Sequence, residues 1–162
     1  PEHYIKVYHD LYGLKYTILR YANVYGIRQD PKGEGGVVSV FVDKLLKGQQ
    51  PFIYGDGKQT RDFIYVDDIA QANISAMNLG HNQIINIGTG ISTSINTLFD
   101  TMNEITGANV KPIYKNARKG DIKNSYFNIQ KAGNLLNWRP AYSLGDGLGK
   151  TIEYYSLKYD GK

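Results

Sequence analysis

The sequence contains no cysteine, and this absence excludes several kinds of site. Disulfide bridges, thiolate metal centres and cysteine nucleophiles cannot form within these 162 residues. A reducing compartment is therefore permitted, and we expect a cytoplasmic protein. Long apolar runs are lacking as well, since none approaches the roughly 18 residues that a membrane-spanning helix needs. We therefore expect no membrane partner.

Metal-binding and phosphate-loop patterns are equally scarce. The three histidines, His3, His9 and His81, have no spacing suited to a shared metal ion, so we predict no metal site. The GxxxxGK[ST] phosphate loop and the GxSxG nucleophile elbow are both absent. The run GTGIST at residues 88–93 resembles a dinucleotide fingerprint. Because Thr93 occupies its third glycine position, a tight turn is the favoured interpretation.

Positive charge is concentrated in one part of the chain. Nineteen Lys and Arg against 15 Asp and Glu give a net charge of +4. Residues 111–139 hold seven basic residues and one acid, Asp121, so this segment carries +6 and the remainder −2. Tyrosine is abundant, with 14 residues, and tyrosines beside Lys or Arg can stack on bases and bind phosphates. The composition indicates an anion-binding face.

Apolar spacing alternates between helical and extended patterns. The predicted helices are 1–12, 37–47, 67–80, 95–106, 129–136 and about fourteen residues from 144. The predicted strands are 16–19, 51–54, 61–66, 83–87 and 111–114. Asp67, Asp68 and Ser94 occupy positions where a side chain can cap a helix, and residues 23–36 are rich in Gly and predict a loop. Strands that alternate with helices predict an α/β fold with parallel pairing.

Five motifs occur in register along the chain. The longest runs from Leu19 to Ala72 and includes YANVYG and TRDFIYVDD. The others are NIGTG at 86–90, SIN at 94–96, RKGD at 118–121 and LLNWRP at 135–140. In this order they resemble the nucleotide-sugar epimerases of the extended short-chain dehydrogenase/reductase family. The resemblance implies the carboxy-terminal part of a Rossmann-like parallel sheet together with a small mixed α/β substrate-binding domain.

The same resemblance implies a portion of a longer enzyme. The end of the Rossmann-like domain would comprise about residues 1–23 and 67–90, and the substrate-binding domain about 24–66 and 91–162. In the family, a helix that carries a Tyr-x-x-x-Lys catalytic pair continues into a segment like residues 1–15. We therefore expect the catalytic Tyr and Lys upstream of residue 1. The chain alone would then contain no catalytic residue, bind no NAD and be inactive.

Three charged residues match positions that bind a nucleoside diphosphate in the family. Arg61 in TRDF and Arg118 in RKGD would hold the diphosphate, a role that suits the planar guanidinium group. The alternative is an ion pair with the adjacent Asp62 for Arg61 and a solvated charge for Arg118. Asp121 would accept hydrogen bonds from the ribose hydroxyls.

The resemblance assigns the remaining site residues to other parts of the ligand. The uracil would be enclosed by Val37, Val38, Phe52 and Tyr54. Asn23 would reach the sugar and phosphate, and Tyr21 would lie near the nicotinamide end of NAD. Ser125 would lie beside the sugar C2 substituent, where a small side chain would admit an N-acetyl group.

The implied reaction interconverts UDP-glucose and UDP-galactose through a 4-keto intermediate, with NAD as the hydride carrier. A 4,6-dehydratase or decarboxylase of the same superfamily shares much of the pattern. A noncatalytic anion-binding domain is the alternative from another class. The expected partners are a UDP-sugar and further copies of the chain, which would associate through an exposed sheet surface, and no nucleic acid is expected.

Overall fold

A parallel pair of strands joins two distant parts of the chain. A computed structural model describes residues 1–31 and 35–160. Strand β1 (Thr17–Tyr21) pairs in parallel with β6 (Gln83–Ile87), and Thr17 lies opposite Gln83. Hydrogen bonding of these two segments, 66 residues apart in sequence at that first pair, confirms the predicted α/β class with parallel pairing.

The described residues form three further pairs of strands. Strand β2 (Asn23–Tyr25) is parallel to β5 (Phe63–Tyr65), β3 (Phe52–Tyr54) is parallel to β8 (Ile113–Lys115), and β4 (Thr60–Arg61) is antiparallel to β7 (Thr93–Ser94). The predicted loop at residues 23–36 was wrong at its start, because β2 begins there. Residues 32–34 of that predicted loop lie outside the described residues.

The predicted strand at residues 61–66 is wrong in two respects. Asp62 interrupts it, separating β4 from β5, and Val66 already belongs to the next helix. The break lies where the chain changes its partner strand, because Thr60–Arg61 pairs with β7 and Phe63–Tyr65 pairs with β2. The Asp62 carbonyl oxygen still accepts a hydrogen bond from the Asn23 N–H at 2.8 Å. Its side chain is buried at 1% exposure, and the carboxylate accepts hydrogen bonds from backbone N–H groups of Thr89 and Gly90.

The helices follow the predicted order. They are α1 (Glu2–Tyr12), α2 (Val37–Leu46), α3 (Val66–Ala76), α4 (Ile95–Thr106), α5 (Gln130–Leu136) and α6 (Leu144–Asp160). Gly13 and Gly107 end α1 and α4 in the left-handed conformation, with φ of 68° and 63°. Ser94 caps α4, since its hydroxyl accepts a hydrogen bond from the Thr97 N–H at 3.0 Å. Within the described residues, no helix is long and apolar enough to cross a membrane.

The predicted capping role of Asp67 and Asp68 is wrong. Helix α3 begins one residue earlier than predicted, after Tyr65, and no side chain caps it. Asp68 is buried and accepts hydrogen bonds from the backbone N–H groups of Ala141 at 2.8 Å and Tyr142 at 3.3 Å. This carboxylate therefore holds the segment that enters α6 against α3.

Two apolar cores lie on either side of the β2 and β5 pair. One is built mainly from α2, α4 and α6, and its most buried side chains include Phe41, Leu98 and Leu148. The other is built from β1, β6, α3 and α5, and includes Ile85 and Leu136. Apolar burial of this kind supplies most of the stability of a domain this size.

The carboxylate of Asp62 joins three parts of the chain. Its Oδ1 accepts hydrogen bonds from the N–H and Oγ1 of Thr89 at 2.8 and 2.6 Å. Its Oδ2 accepts hydrogen bonds from the N–H of Gly90 at 3.0 Å and of Phe127 at 3.3 Å. A Cβ atom at Gly88 would lie 2.5 Å from Oδ2, so only glycine permits this approach. The predicted tight turn at residues 88–90 has a bend at Gly88 and a positive φ of 73° at Gly90, and this segment wraps around Asp62.

Replacing Asp62 with Asn should lower the free energy of unfolding by about 2–4 kcal/mol, because the new amide nitrogen must face N–H donors that the carboxylate now satisfies. Urea denaturation followed by circular dichroism measures this loss. Asp100, exposed on α4, provides the control, and Asp100→Asn should change stability by less than about 0.5 kcal/mol. Equal effects of the two substitutions would contradict a structural role for the Asp62 hydrogen bonds.

Candidate functional site

A cavity of about 290 Å³ opens between β3, β4, the start of α2 and the segment that follows β8. Of the residues expected to bind a nucleotide sugar, seven line it: Asn23, Val37, Phe52, Tyr54, Arg61, Arg118 and Asp121. The structure therefore brings together side chains that are up to 98 positions apart in sequence.

Arg61 connects the two sides of the cavity. Its Nη1 donates hydrogen bonds to the carbonyl oxygens of Thr60 at 2.8 Å and Ile122 at 2.6 Å. Its Nη2 lies 2.5 Å from Oδ1 of Asp121. The alternative of an ion pair with the adjacent Asp62 is wrong, because successive side chains of an extended segment point in opposite directions. Arg61 faces the cavity and Asp62 faces the interior.

Arg118 and Tyr54 form the opposite rim. The Arg118 guanidinium lies over the Tyr54 ring, 3.9 Å from its centroid. The guanidinium lowers the pKa of the Tyr54 hydroxyl, first through hydrogen bonding and then through its positive charge. Phe52 lies two residues before Tyr54 and therefore on the same face of β3. The Nζ of Lys115 lies 3.6 Å from the centroid of the Phe52 ring. Two aromatic side chains of the cavity lining, Phe52 and Tyr54, thus each carry a cation on one face, and Arg118 is the one of these cations that lines the cavity.

The inner wall of the cavity is apolar. Phe41 and Ile53 contribute buried side chains there, and Val40 and Ile95 complete the surface. Sequence reasoning missed these residues because they also belong to ordinary helical and strand patterns. It missed Gln59 as well, although Gln59 precedes Arg61 by two positions, the spacing that places side chains on one face of an extended segment.

Three expected site residues do not line this cavity. Val38 is 2% exposed and packs into the core of α2, α4 and α6, because adjacent helical residues point about 100° apart. The Ser125 N–H donates to the carbonyl oxygen of Thr60 at 3.1 Å. The Tyr21 hydroxyl donates to Oδ1 of Asn73 at 2.8 Å, on α3.

The basic segment at residues 111–139 does not form one continuous patch around the cavity. Arg118 alone of its seven basic residues lines the cavity. The Nζ of Lys131 donates to the carbonyl oxygen of Ile84 at 2.9 Å, and Arg139 lies beside Trp138 in a separate depression. Charge that is concentrated in sequence is therefore distributed over several surfaces.

Backbone N–H groups of the turn at residues 88–90 are already bonded within the chain. The turn at residues 88–90 resembles a phosphate-binding loop, but the N–H groups of Thr89 and Gly90 are directed to the Asp62 carboxylate. An anionic phosphate would have to displace that carboxylate. Among the described residues there is also no group of three His, Asp or Glu that could hold a metal ion.

The Tyr-x-x-x-Lys spacing occurs twice in the sequence, at Tyr54 to Lys58 and at Tyr154 to Lys158. The first match spans a strand end and a turn, and the second lies on α6. Neither lysine lines the cavity with Arg61. The position of the catalytic pair upstream of residue 1 therefore stays a prediction.

Comparison with protein families gives the class of this protein. The model of the NAD dependent epimerase/dehydratase family matches residues 1–88, so the chain belongs to that family. This finding confirms the resemblance on which the site was predicted.

Individual relatives are more specific. The chain is 51% identical to a putative UDP-glucose 4-epimerase of Methanocaldococcus jannaschii over 94% of its length, and 39% identical to a UDP-glucose 4-epimerase of Mycolicibacterium smegmatis over 97%. Both matches cover 50% of the relative, so the chain spans about half the length of these curated relatives.

A solved structure agrees with these relatives. The UDP-glucose 4-epimerase of Thermotoga maritima, determined with UDP-glucose, is similar with a TM-score of 0.96 and 49% identity, over 98% of this chain and 51% of that one. The similarity confirms the predicted fold class, which includes part of a Rossmann-like sheet.

Replacing Arg118 with Gln should raise the pKa of Tyr54, because the guanidinium that stabilises its phenolate is removed. Titration of ¹³Cζ-labelled tyrosine by NMR resolves this residue from the other tyrosines. The control is Lys111→Gln, which removes an exposed positive charge of the same segment. A Tyr54 pKa that rises equally in both variants would contradict the specific effect of Arg118.

Proposed function

We propose that the cavity binds the UDP part of a UDP-sugar and belongs to a 4-epimerase that interconverts UDP-glucose and UDP-galactose. The observation that carries the proposal is the convergence of Arg61, Arg118 and Asp121 on one cavity that has an aromatic rim and an apolar wall. Guanidinium groups suit a diphosphate, a carboxylate suits ribose hydroxyls, and the wall formed with Phe52 and Val37 suits a planar base.

The distribution of polar groups in the cavity supports tighter binding of the UDP part of the ligand than of its hexose part. The charged side chains of the lining suit a nucleoside diphosphate, whereas Asn23, the first residue of β2, contributes an uncharged amide. A 4-keto sugar must turn over before its reduction from the opposite face. We therefore propose that the chain holds UDP firmly and the hexose loosely.

The cofactor is proposed on the family relationship. Solved relatives include a UDP-glucose 4-epimerase of Thermus thermophilus in complex with NAD, 36% identical over 95% of this chain. We place Tyr21 near the nicotinamide end of that cofactor, as the family resemblance implies, and assign no step of the reaction to it. Galactose metabolism and a cytoplasmic location belong to the same proposal.

The domain division is also a proposal, and the two apolar cores support it. The core of α2, α4 and α6 draws on residues 24–66 and 91–162, whereas the core around β1, β6 and α3 draws mainly on 1–23 and 67–90. Helix α5 packs in the second core, although it follows in the carboxy-terminal segment. A division by packing would therefore move α5 into the Rossmann-like unit.

UDP should bind to the chain, and Arg61→Ala should weaken that binding by about 2–5 kcal/mol, because it removes a charged partner of the diphosphate. Isothermal titration calorimetry measures both affinities. Arg139→Ala removes an equal charge at an exposed position outside the cavity and serves as the control. Absence of UDP binding, or equal losses in the two variants, would contradict the proposal.

We further propose that copies of the chain associate through the surface that carries α1 and β1. In the described structure α1 has no buried residue, although it presents Tyr4, Tyr8 and Leu11 to solvent at 75, 54 and 67% exposure. Apolar faces of this kind usually mark interaction sites. A second copy would supply an identical apolar face.

Sedimentation velocity should detect self-association of the chain. The double substitution Tyr8→Glu and Leu11→Glu should weaken it roughly tenfold or more, because it places charges in the contact. Leu157→Glu, at an equally exposed position on α6, should leave it unchanged. A chain that stays monomeric at all concentrations would refute this arrangement.

A further inference from the structure

The two arginines of the cavity have different partners. Nη2 of Arg61 lies 2.5 Å from the Asp121 carboxylate, so its charge is already neutralised. Arg118 lies against the aromatic ring of Tyr54 instead. In the described part of the chain, no carboxylate lies within 4.0 Å of Arg118. An incoming anion therefore meets one arginine that is paired with a carboxylate, Arg61, and one that is not, Arg118.

The bonds of Arg61 differ in how readily they can be exchanged. Two of them go to backbone carbonyl oxygens, of Thr60 and Ile122, which hold the guanidinium in place. The third goes to Asp121, whose side chain is 34% exposed on a solvent-exposed segment. A rotation of the Asp121 side chain would free Nη2 while the guanidinium kept its position. Asp121 is therefore the exchangeable partner of Arg61.

We propose that Asp121 is a specificity-determining residue that disfavours pyrophosphate and other anions without a sugar hydroxyl. A diphosphate that approaches Arg61 must displace the Asp121 carboxylate and tolerate its negative charge nearby. A fully ionised diphosphate offers the displaced carboxylate no new donor, whereas a nucleoside diphosphate offers the ribose hydroxyls. The site would then discriminate between anions through repulsion by the Asp121 carboxylate as well as through attraction by the arginines.

This inference rests on the proposed function only for the identity of the favoured ligand. The repulsive half depends on the Arg61 and Asp121 contact alone, which the structure shows at 2.5 Å. Arg61 is 18% exposed at its side chain, so the pair is partly shielded from water and salt. Removal of the carboxylate charge should therefore change anion affinity measurably.

A matched acid lies close by. Asp56 lines a second cavity of about 270 Å³. Tyr54, Arg118 and Asp121 line both this cavity and the one that contains Arg61. The Asp56 Oδ1 accepts a hydrogen bond from the Lys58 N–H at 3.0 Å, a role that asparagine can also perform. Asp56→Asn thus removes an equal charge from a cavity that Arg118 also lines, without touching the Arg61 contact.

The test is calorimetric titration of the 162-residue chain with pyrophosphate and, separately, with UDP. Asp121→Asn should tighten pyrophosphate binding about 3–10-fold, the range expected for one partly exposed ion pair. It should also lower the preference for UDP over pyrophosphate. Asp56→Asn should change pyrophosphate affinity less than about twofold, since exposed charges at a distance are screened.

A double variant ties the effect to Arg61. If Asp121 acts by occupying that guanidinium, Asp121→Asn should give no gain in pyrophosphate affinity once Arg61 is replaced by Gln. A gain that persists in the double variant, or an equal gain in Asp56→Asn, would overturn the inference. So would unchanged pyrophosphate affinity in Asp121→Asn.

The same titrations separate this inference from the proposed function. A wild-type chain that fails to bind UDP refutes the proposed function, while a pyrophosphate gain in Asp121→Asn would still support exclusion by the carboxylate. UDP binding by the wild type without that gain refutes exclusion alone. Failure of both measurements refutes both.

Discussion

The buried carboxylate of Asp62 is the contact on which the arrangement of the site depends. It gathers the turn after β6, the approach to α5 and the junction of β4 with β5 through hydrogen bonds to Thr89, Gly90 and Phe127. A buried carboxylate is stable only when such donors surround it. Because Asp62 is fixed toward the interior, its neighbour Arg61 is fixed toward the cavity.

Arg61 in turn fixes the position of the segment that follows β8. Bonds from Arg61 to Ile122 and Asp121 hold this exposed segment across the cavity, and the Thr60 N–H adds a bond to the carbonyl oxygen of Lys123 at 2.8 Å. Arg118 is thereby placed over Tyr54. The site therefore depends on residues 59–62. The Gln59 and Arg61 side chains line the cavity, and the Asp62 side chain is buried in the interior.

The ion pair between Arg61 and Asp121 also changes how the charged groups of the cavity are understood. Family resemblance assigns the two residues to separate parts of a ligand. In the structure they are partners, so a ligand must compete with Asp121 for Arg61 and with Arg61 for Asp121. In our proposal, this competition disfavours anions that can satisfy only one of the two residues.

Local patterns were sufficient for most helices and for the strands at β1, β3 and β6, because apolar periodicity and glycine stops act within a few residues. They failed at Asp62 and Asp68, where carboxylates that look like a strand residue and a helix cap are buried against distant backbone N–H groups. The family resemblance assigned both Val37 and Val38 to the site, and only the structure shows that Val37 lines the cavity whereas the Val38 side chain packs in the core.

The lack of cysteine, the parallel α/β order, the motif register and hence the family were determined by the sequence itself, because these are properties of composition and of local spacing. The pairing of Arg61 with Asp121 and the distribution of the +6 segment over several surfaces were decided only by the tertiary structure. Both depend on contacts between residues far apart in sequence, 60 positions for Arg61 with Asp121 and 47 for Lys131 with Ile84, and such contacts leave no local signal in the sequence.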